Sequence, residues 1–254
     1  MAEDILSRKP PPYDARLRYG ADPNQFGDLR LPKQRKPNLA VFIHGGFWRA
    51  HYDLAHAGHL CAALTRSGLA TFNLEYRRVG NPGGGWPGTF EDLVNGLHFI
   101  QHHAPERGID AGRTVVIGHS AGGELALCLA AREPSLKGAV SLAGVLDLKR
   151  AFELHLSNDA AQEFMGGTPA QVPEHFHEAS PIELKIPAMQ QIIVHGTDDD
   201  IVPIEFSREY AKVKTRLGEH VRLLELEGAD HFDLIDPESS FWPRISAAIE
   251  ALFA

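Results

Sequence analysis

The stretch VVIGHSAGGELALCLAAR, residues Val115 to Arg132, decides the fold class. A short apolar run leads into Gly-His-Ser-Ala-Gly-Gly, and an Ala- and Leu-rich helical pattern follows at once. A serine between glycines at such a junction is either part of a plain turn or a nucleophile on a strained bend. The flanking strand and helix favour the second interpretation, with Ser120 at the N-terminus of the helix, where the helix dipole stabilises a developing oxyanion.

Short, fully apolar runs alternate with helical patterns along the rest of the chain. Strands are predicted at 39–43, 69–74, 114–118, 138–144, 191–196 and 221–227, and helices near 54–66, 89–103, 204–217 and 239–253. This alternation predicts an α/β fold in which a mostly parallel sheet is covered by helices on both faces. Two weaker runs, 15–20 and 26–32, predict an antiparallel hairpin at the sheet edge. Asp92, three residues after Thr89, predicts a capping box for the second helix.

The organisation predicted for residues 1–254 is a single domain without internal repeats. Residues 147–187 break the rhythm of strands and helices, because they are polar and contain several prolines and a Met-Gly-Gly turn. We therefore expect them to form a short insertion, or cap, after the sixth strand and over the C-terminal edge of the sheet.

The charge and cysteine content limit the classes of partner. The formal net charge is -8, from 25 basic and 33 acidic residues, and no basic run points to nucleic acid. Cys61 and Cys128 fall in helical patterns and are expected to be buried free thiols. No apolar run approaches the roughly 20 residues of a membrane span, and the charged, Pro-rich N-terminus lacks the apolar segment of a signal peptide. We expect a cytoplasmic protein that does not bind membranes. The oligomeric state stays open, with a homodimer as one option.

A nucleophilic serine needs a base, and the base needs an acid that orients it. On this architecture the chain order is Ser, then Asp or Glu, then His. HGTDDDIVP places three consecutive aspartates, residues 198–200, directly after a predicted strand, and their spacing does not separate them. His231 follows the last predicted strand and is the expected base. Its rivals among the histidines are His44, His119 and His195. His44 and His195 each precede a glycine at a strand end, where hydrogen bonding to nearby backbone is the alternative.

The predicted reaction also needs backbone N–H groups that bind the oxyanion. Ala121, directly after the nucleophile, supplies one. The second is expected from the loop His44 to Trp48 (HGGFW), where paired glycines let the backbone turn its N–H groups toward the substrate. A plain strand-to-loop turn is the alternative for this loop.

The expected substrate pocket is lined by Trp48, Trp86 and His119, although core packing is an equal alternative for Trp86. Arg77 and Arg78 follow a predicted strand and are candidates to bind a substrate carboxylate, with a solvated or helix-pairing role as the alternative for each.

The motifs HGGFW, GHSAGG, HGTDDDIVP and DHF, in this order, resemble those of the α/β-hydrolases, and more narrowly of small esterases and kynurenine formamidase-like hydrolases. The resemblance implies Asp199 as the acid, because the pattern H-G-x-x-D-x-x-V-P fits His195 to Pro203. It also implies oxyanion-binding N–H groups at Gly46 and Phe47, with Gly45 shaping the turn.

Two departures separate the chain from the formamidases. Phe47 stands where the formamidases carry Tyr, and the FMGGTP…ASPIEL insertion is more similar to that of general carboxylesterases.

The expected function is hydrolysis of carboxylic esters with short acyl or aryl groups through a Ser-His-Asp triad and an acyl-enzyme. The short insertion favours small acyl groups, and the mechanism requires no metal ion or organic cofactor. The alternatives are an arylformamidase or another amidase or peptidase, with a formamide in place of the ester, and a non-catalytic binding protein with the hydrolase fold.

Overall fold

The sheet contains eight strands. The computed structural model describes residues 2–186 and 189–253. The strands are β1 (Ala15–Arg18), β2 (Phe26–Arg30), β3 (Asn38–Ile43), β4 (Ala70–Leu74), β5 (Asp110–His119), β6 (Gly138–Leu142), β7 (Gln190–Gly196) and β8 (Val221–Leu226). Their order across the sheet is β1-β2-β4-β3-β5-β6-β7-β8.

The helices alternate with these strands along the chain. They are α1 (Gly58–Arg66), α2 (Gly88–His103), α3 (Ala121–Arg132), α4 (Leu148–Glu153), α5 (Ala160–Met165), α6 (Pro173–Ala179), α7 (Glu205–Arg216) and α8 (Trp242–Glu250). Short 3-10 turns occur at Ala2–Leu6, Leu54–Ala57, Pro105–Arg107 and Ala251–Phe253. None of the helices in the described ranges is long and apolar enough to cross a membrane.

Strand direction follows the sequence-based prediction. β1 pairs antiparallel with β2, and β2 pairs antiparallel with β4, so the predicted edge hairpin is confirmed. All other neighbouring strands are parallel, from β4 through β8. Parallel strands share one carboxyl edge, so the loops that follow β3, β5, β7 and β8 lie together there.

Both faces of the sheet are covered, as predicted. Along β3, Leu39, Val41 and Ile43 pack into one core cluster, and the alternating Ala40 and Phe42 pack into the other. The first cluster includes residues of α2, α3 and α7, and the second includes residues of α1 and α8. This period-2 alternation, with apolar residues on both sides, is the reason the strands are apolar throughout. Cys61 and Cys128 are buried free thiols.

The predicted capping box of α2 is wrong. The helix begins at Gly88 with Pro87 at the N-cap position, so Thr89 lies inside the helix. The carboxylate of Asp92 is taken instead by the guanidinium of Arg77, at 2.6 and 2.8 Å. A long-range ion pair therefore replaces the local cap, and Arg77 has a structural partner.

The segment between β6 and β7, where the insertion was expected, contains the three short helices α4, α5 and α6. Phe164 of α5 and Phe176 of α6 are fully buried in the first core cluster. The segment is thus packed onto the body of the fold through large aromatic side chains.

Candidate active site

Ser120 stands on a sharp bend between β5 and α3. Its backbone has φ 56° and ψ −123°, a conformation that non-glycine residues seldom adopt. The Ser120 N–H donates to the carbonyl of Leu142 at 2.8 Å, which ties the bend to the end of β6. The serine is buried, with 3% of its surface exposed, and its side chain lines a small cavity.

Two glycines make this bend possible by close approach. A Cβ on Gly118 would overlap the carbonyl of Gly122, and a Cβ on Gly122 would overlap the carbonyl of Ile43 at the end of β3. Neither position has room for any side chain. The glycines two before and two after Ser120 are therefore required by backbone packing, as the sequence pattern predicts.

His231, in the loop after β8, contacts Asp199, in the loop after β7. The Nδ1–H of His231 donates to Oδ2 of Asp199 at 2.6 Å, and both side chains are buried. This bond leaves Nε2 of His231 as the unprotonated nitrogen. His231 and Ser120 line the same cavity, but the Ser120 hydroxyl makes no hydrogen bond within the described residues.

The carboxylate of Asp199 is surrounded by four N–H groups. Three of them donate to it, and the fourth, Nε2–H of His195, lies close by and donates to the carbonyl of Val202 at 2.9 Å. Oδ1 accepts the N–H groups of Ile201 and Val202 at 2.9 and 2.8 Å, and Oδ2 lies 3.2 Å from Nε2 of His195 in addition to its bond with His231. Burial by itself would raise the pKa of Asp199, but the nearby rings of His195 and His231 outweigh burial and hold the pKa well below its usual range. The side chain is therefore ionised at neutral pH.

The neighbouring aspartates are arranged differently. Asp198 and Asp200 are exposed, and Asp198 accepts a hydrogen bond from the hydroxyl of Thr197 at 3.1 Å. Asp199 is thus the one of the three that contacts His231 in the structure. Sequence spacing left the three open, because consecutive residues in a loop can point in any direction.

The loop after β3 passes over the serine bend. Gly46 has φ 116°, and Phe47 and Trp48 follow with φ 48° and 57°. A Cβ on Gly45 would lie 2.9 Å from Cβ of Ser120, so this glycine is in direct contact with the bend. Three successive left-handed residues turn the chain sharply at this point.

The backbone N–H groups of Gly46, Phe47 and Ala121 are among those at this junction that have no protein acceptor in the described residues. Gly46 and Phe47 also line the cavity that holds Ser120. Ala121 is the first residue of α3, whose twelve residues direct the positive end of the helix dipole toward the bend. The arrangement can bind a negatively charged oxygen.

Glu75 was missed by the sequence analysis. Its buried carboxylate accepts from Nε2 of His44 at 3.0 Å, lies 3.2 Å from the guanidinium of Arg78, and accepts the N–H of Leu54 at 3.1 Å. Burial alone would raise the pKa of Glu75, but His44 and Arg78 lower it below its usual range. The sequence does contain a signal for this residue, because the motif LEYRR (Leu74 to Arg78) places the acid at the end of a buried strand.

His44 connects this carboxylate to the glycine loop. Its Nδ1 lies 2.8 Å from the carbonyl of Gly45, and its ring stacks on Tyr76 with centroids 4.5 Å apart. Together with Glu75, these contacts hold the start of the loop in place. His44 thus has structural hydrogen-bond partners, which was the alternative to a role as base. Arg78 is buried against Glu75, so it is neither solvated nor paired with a helix.

The cavity beside Ser120 has a volume of about 80 Å³. Its lining contains no acidic side chain, lysine or arginine among the described residues, and it consists of Leu6, Gly46, Phe47, Tyr52, His56, His119, Ser120, Ile201, His231 and Phe232. Burial, followed by the nearby ring of His44, lowers the pKa of His56 to about 3, so that ring is neutral. His119 lies in the lining, where it was expected.

The wall of the cavity comes partly from an unexpected segment. Leu6, in the 3-10 turn near the N-terminus, lines it, whereas none of the described residues between 147 and 186 does. Arg8 fixes this N-terminal segment by a two-pronged ion pair with Asp236, at 3.1 and 3.0 Å. No local sequence pattern predicts such a contact across more than 200 residues.

The two predicted pocket tryptophans lie elsewhere, which corrects the sequence-based expectation. Trp48 is buried, stacks on Phe164 with centroids 4.8 Å apart, and donates its indole N–H to Oε2 of Glu124 at 2.8 Å. Trp86 stacks on Phe90 and lines a separate surface cavity of about 620 Å³. Phe164 of the insertion contacts both indoles: Trp48 is fully buried against it, and Trp86 is half-buried at the edge of the surface cavity.

The buried carboxyl group of Glu124, which accepts the indole N–H of Trp48, leads us to predict that the stability of the protein depends on pH. Burial raises the pKa of Glu124 to about 8, against about 4.5 in an unfolded chain. The contribution of Glu124 to the free energy of unfolding is therefore complete below about pH 4.5 and is lost as the pH rises through 8. The reason is that the unfolded chain releases the carboxyl proton of Glu124 at a lower pH than the folded chain does. Between pH 6 and 9 we expect the free energy of unfolding to fall about 2–3 kcal/mol more in the wild type than in Glu124→Gln.

Urea unfolding of both proteins across this pH range measures the difference. Groups that do not contact Glu124 contribute equally to both curves and cancel in the comparison. Parallel curves for the two proteins would contradict a neutral, buried Glu124.

The fold and the arrangement around Ser120 define an α/β-hydrolase. Esterase B from Lactobacillus rhamnosis, in an inhibited form, superposes with a TM-score of 0.83, at 18% sequence identity and with 99% of this chain and 92% of that chain covered. The chain belongs to the BD-FAE family, whose sequence profile matches residues 28–213.

Curated relatives are more distant than 30% identity. A probable isoprenylcysteine alpha-carbonyl methylesterase of Arabidopsis thaliana is 27% identical over 256 residues, covering 88% of this chain and 52% of its own length. A kynurenine formamidase of Meyerozyma guilliermondii is 23% identical over 210 residues, covering 74% of this chain and 76% of its own length. The chain thus spans about half the length of the first of these relatives.

Proposed function

We propose that this chain is a carboxylic ester hydrolase that acts on short acyl or aryl esters through Ser120, His231 and Asp199. The observation that carries the proposal is the buried 2.6 Å bond between His231 and Asp199 at the wall of the cavity that holds Ser120. An ionised acid, a histidine in a fixed tautomer and a serine on a strained bend are the parts that acyl transfer needs. The names of the curated relatives, which include a methylesterase, also support it.

In the first half of the reaction, His231 takes the hydroxyl proton through Nε2 as Oγ of Ser120 attacks the ester carbonyl carbon. The carbonyl oxygen becomes an oxyanion, which accepts hydrogen bonds from Ala121 and from Gly46 or Phe47. Each such donor contributes about 3 kcal/mol to transition-state stabilisation. His231 then gives its proton to the departing alkoxide, and the acyl group stays on Ser120.

In the second half, water replaces the alcohol. His231 takes a proton from the water as it attacks the acyl-enzyme, and the oxyanion forms again at the same N–H groups. Collapse of this intermediate releases the carboxylic acid, and His231 returns the proton to Ser120. Asp199 stays ionised throughout, since its low pKa keeps it charged opposite the imidazolium.

The cavity supports a small, neutral substrate. A volume of about 80 Å³ is well below the roughly 300 Å³ at which drug-sized pockets begin. No Asp, Glu, Lys or Arg side chain is among its lining residues within the described ranges. The cavity has room for a short acyl group or a small alcohol, whereas a long alkyl chain would extend out through its opening.

An arylformamidase is the second candidate, and the similarity to a kynurenine formamidase favours it. The same triad expels an amine when His231 protonates the nitrogen. Phe47 stands where the formamidase pattern has Tyr, and it lines the cavity directly. This difference favours the ester hydrolase over the formamidase.

Steady-state hydrolysis of p-nitrophenyl acetate, butyrate and decanoate, beside N-formylkynurenine, tests the proposal. We expect kcat/KM for acetate and butyrate to exceed that for decanoate by about tenfold or more, because the cavity is small. Little formamide cleavage is expected. Preference for N-formylkynurenine by orders of magnitude would establish the formamidase instead. Equal rates in the wild type and in Ser120→Ala would exclude both enzymes.

A further inference from the structure

Glu124 is a buried acid on the helix that follows Ser120. It lies in the first turn of α3, where its N–H donates to the carbonyl of Ser120 at 3.2 Å, and its side chain is fully buried. A buried carboxyl group is unfavourable compared with an apolar side chain of similar size. The proposed reaction gives this group no step, so its contacts indicate what it does.

The first of these contacts joins α3 to the glycine loop. Oε2 of Glu124 accepts the indole N–H of Trp48 at 2.8 Å. Trp48 directly follows Phe47 in the chain and has φ 57°. The carbonyl of Trp48 accepts the N–H of Val79 at 2.8 Å, and its ring stacks on Phe164. Neither of these two partners lies on α3, so of the three contacts it is the bond to Glu124 that couples Trp48 to this helix.

This bond connects the two sources of oxyanion donors. One source is the loop, with the N–H groups of Gly46 and Phe47, and the other is α3, with the N–H of Ala121. Trp48 is the residue after Phe47, and Glu124 lies in the same helical turn as Ala121. Donors stabilise an oxyanion at distances of about 2.7–3.1 Å. A displacement of the loop by about 1 Å relative to α3 would therefore weaken the site.

The second oxygen of Glu124 faces Cys128. Oε1 lies 3.1 Å from Sγ of that residue, one turn further along α3. Burial raises the pKa of Glu124 to about 8, so the carboxyl group is neutral at pH 7. Because Oε2 accepts from Trp48, Oε1 carries the proton. A glutamine fits the same contacts, with its oxygen toward the indole and its NH₂ group toward the sulfur.

We propose that Glu124 is a positioning residue for ester hydrolysis: through its hydrogen bond to the indole of Trp48, it holds the oxyanion donors of the glycine loop in place relative to the N–H of Ala121. The inference rests on the proposed ester hydrolysis and its oxyanion-binding groups. Glu124 itself touches no reacting atom. It determines where the loop donor lies, so it acts on the transition state rather than on substrate binding.

Replacing the carbonyl oxygen of the substrate by sulfur reports on the oxyanion site. p-Nitrophenyl acetate and p-nitrophenyl thionoacetate share the leaving group and the acyl carbons. Sulfur is a weaker hydrogen-bond acceptor and lies farther from carbon, so well-placed N–H donors favour the oxygen ester. We define the oxygen preference as the ratio of the two kcat/KM values divided by the same ratio for hydroxide. In the wild type we expect an oxygen preference of about 100-fold or more.

Variants that break the contact should lower this preference. Glu124→Leu removes the acceptor, Trp48→Phe removes the donor, and the double variant removes both. We expect each to lower the oxygen preference, and kcat for p-nitrophenyl acetate, by about tenfold, with a smaller change in KM. The three losses should be similar rather than additive, because each variant breaks the same contact. Glu124→Gln keeps both hydrogen bonds and should restore most of the preference.

Two further measurements separate positioning from a loss of stability. The double variant replaces both polar partners by apolar groups, which is nearly neutral for the free energy of unfolding. Its thermal unfolding should therefore change little while the oxygen preference falls. Cys128→Ala alters the other side of the same carboxyl group but leaves the indole bond, so it should keep the wild-type preference. A ratio of two substrates on one enzyme does not depend on the fraction of folded protein.

The results distinguish the role of Glu124 from the proposed function. A wild-type oxygen preference near one, with ester hydrolysis that depends on Ser120, would overturn the role of Glu124 alone. An unchanged preference in Glu124→Leu and Trp48→Phe, or an equal loss in Cys128→Ala, would do the same. Failure of the wild type to hydrolyse p-nitrophenyl acetate would overturn the proposed function and this inference with it. Where Glu124→Leu does not fold, Trp48→Phe, which keeps a ring against Phe164, decides the matter.

Discussion

Replacing Ser120 by Ala is expected to lower kcat for ester hydrolysis by about 10⁵-fold or more, because the variant has no atom that can form the acyl-enzyme. The fold should be unaffected, since the Ser120 hydroxyl makes no hydrogen bond in the described structure. Initial rates with p-nitrophenyl acetate, together with thermal unfolding, measure both effects. Ser246→Ala on α8 is the matched control and should retain wild-type rates.

The rate that remains in Ser120→Ala shows whether Ser120 is the nucleophile. A remaining rate within about tenfold of the wild type would mean that another group attacks the ester, or that the site only positions water. Either result removes Ser120 from the nucleophile position and leaves its strained backbone without a catalytic explanation.

The second large effect is expected from Asp199→Asn, which should lower kcat/KM by about 10⁴-fold. The amide keeps one oxygen for the N–H groups of Ile201 and Val202, so its NH₂ group faces His231. Nδ1 of His231 must then accept, and the proton moves to Nε2. A histidine in that tautomer cannot take the proton of Ser120.

Asp198→Asn and Asp200→Asn are the matched controls for this prediction. Both side chains are exposed, and neither contacts His231, so each variant should stay within about threefold of the wild type. Steady-state kinetics on all three variants compares them directly. Full activity in Asp199→Asn with a loss in Asp198→Asn would show that the acid is misassigned.

Much of the fold could be predicted from the sequence, because its signals are local. The apolar runs predict the parallel strands, and the stretch 115–132 predicts the junction of β5 and α3. Gly118 is required by its close contact with Gly122, four residues along the chain, and Gly122 is required by the carbonyl of Ile43 on the neighbouring strand β3. Both requirements fall within one pentapeptide. Requirements of this kind produce a short motif that can be recognised in the sequence.

The parts that sequence analysis missed depend on distant contacts. Trp48 packs on Phe164 and Glu124 rather than in the cavity, and Asp92 binds Arg77 rather than the end of its helix. Leu6 lines the cavity although more than 100 residues separate it from Ser120. No local pattern encodes these pairings, since they depend on how the loops at the carboxyl edge of the sheet fold over one another.

Mass spectrometry after reaction with a p-nitrophenyl alkylphosphonate tests the central claim, nucleophilic attack by Ser120, most directly. Attack on phosphorus expels p-nitrophenolate and leaves a stable phosphonate on the attacking oxygen. The site described here predicts one phosphonate per chain, on the peptide that contains Ser120, and none in Ser120→Ala. A phosphonate on another residue, or no adduct while ester hydrolysis continues, would contradict it.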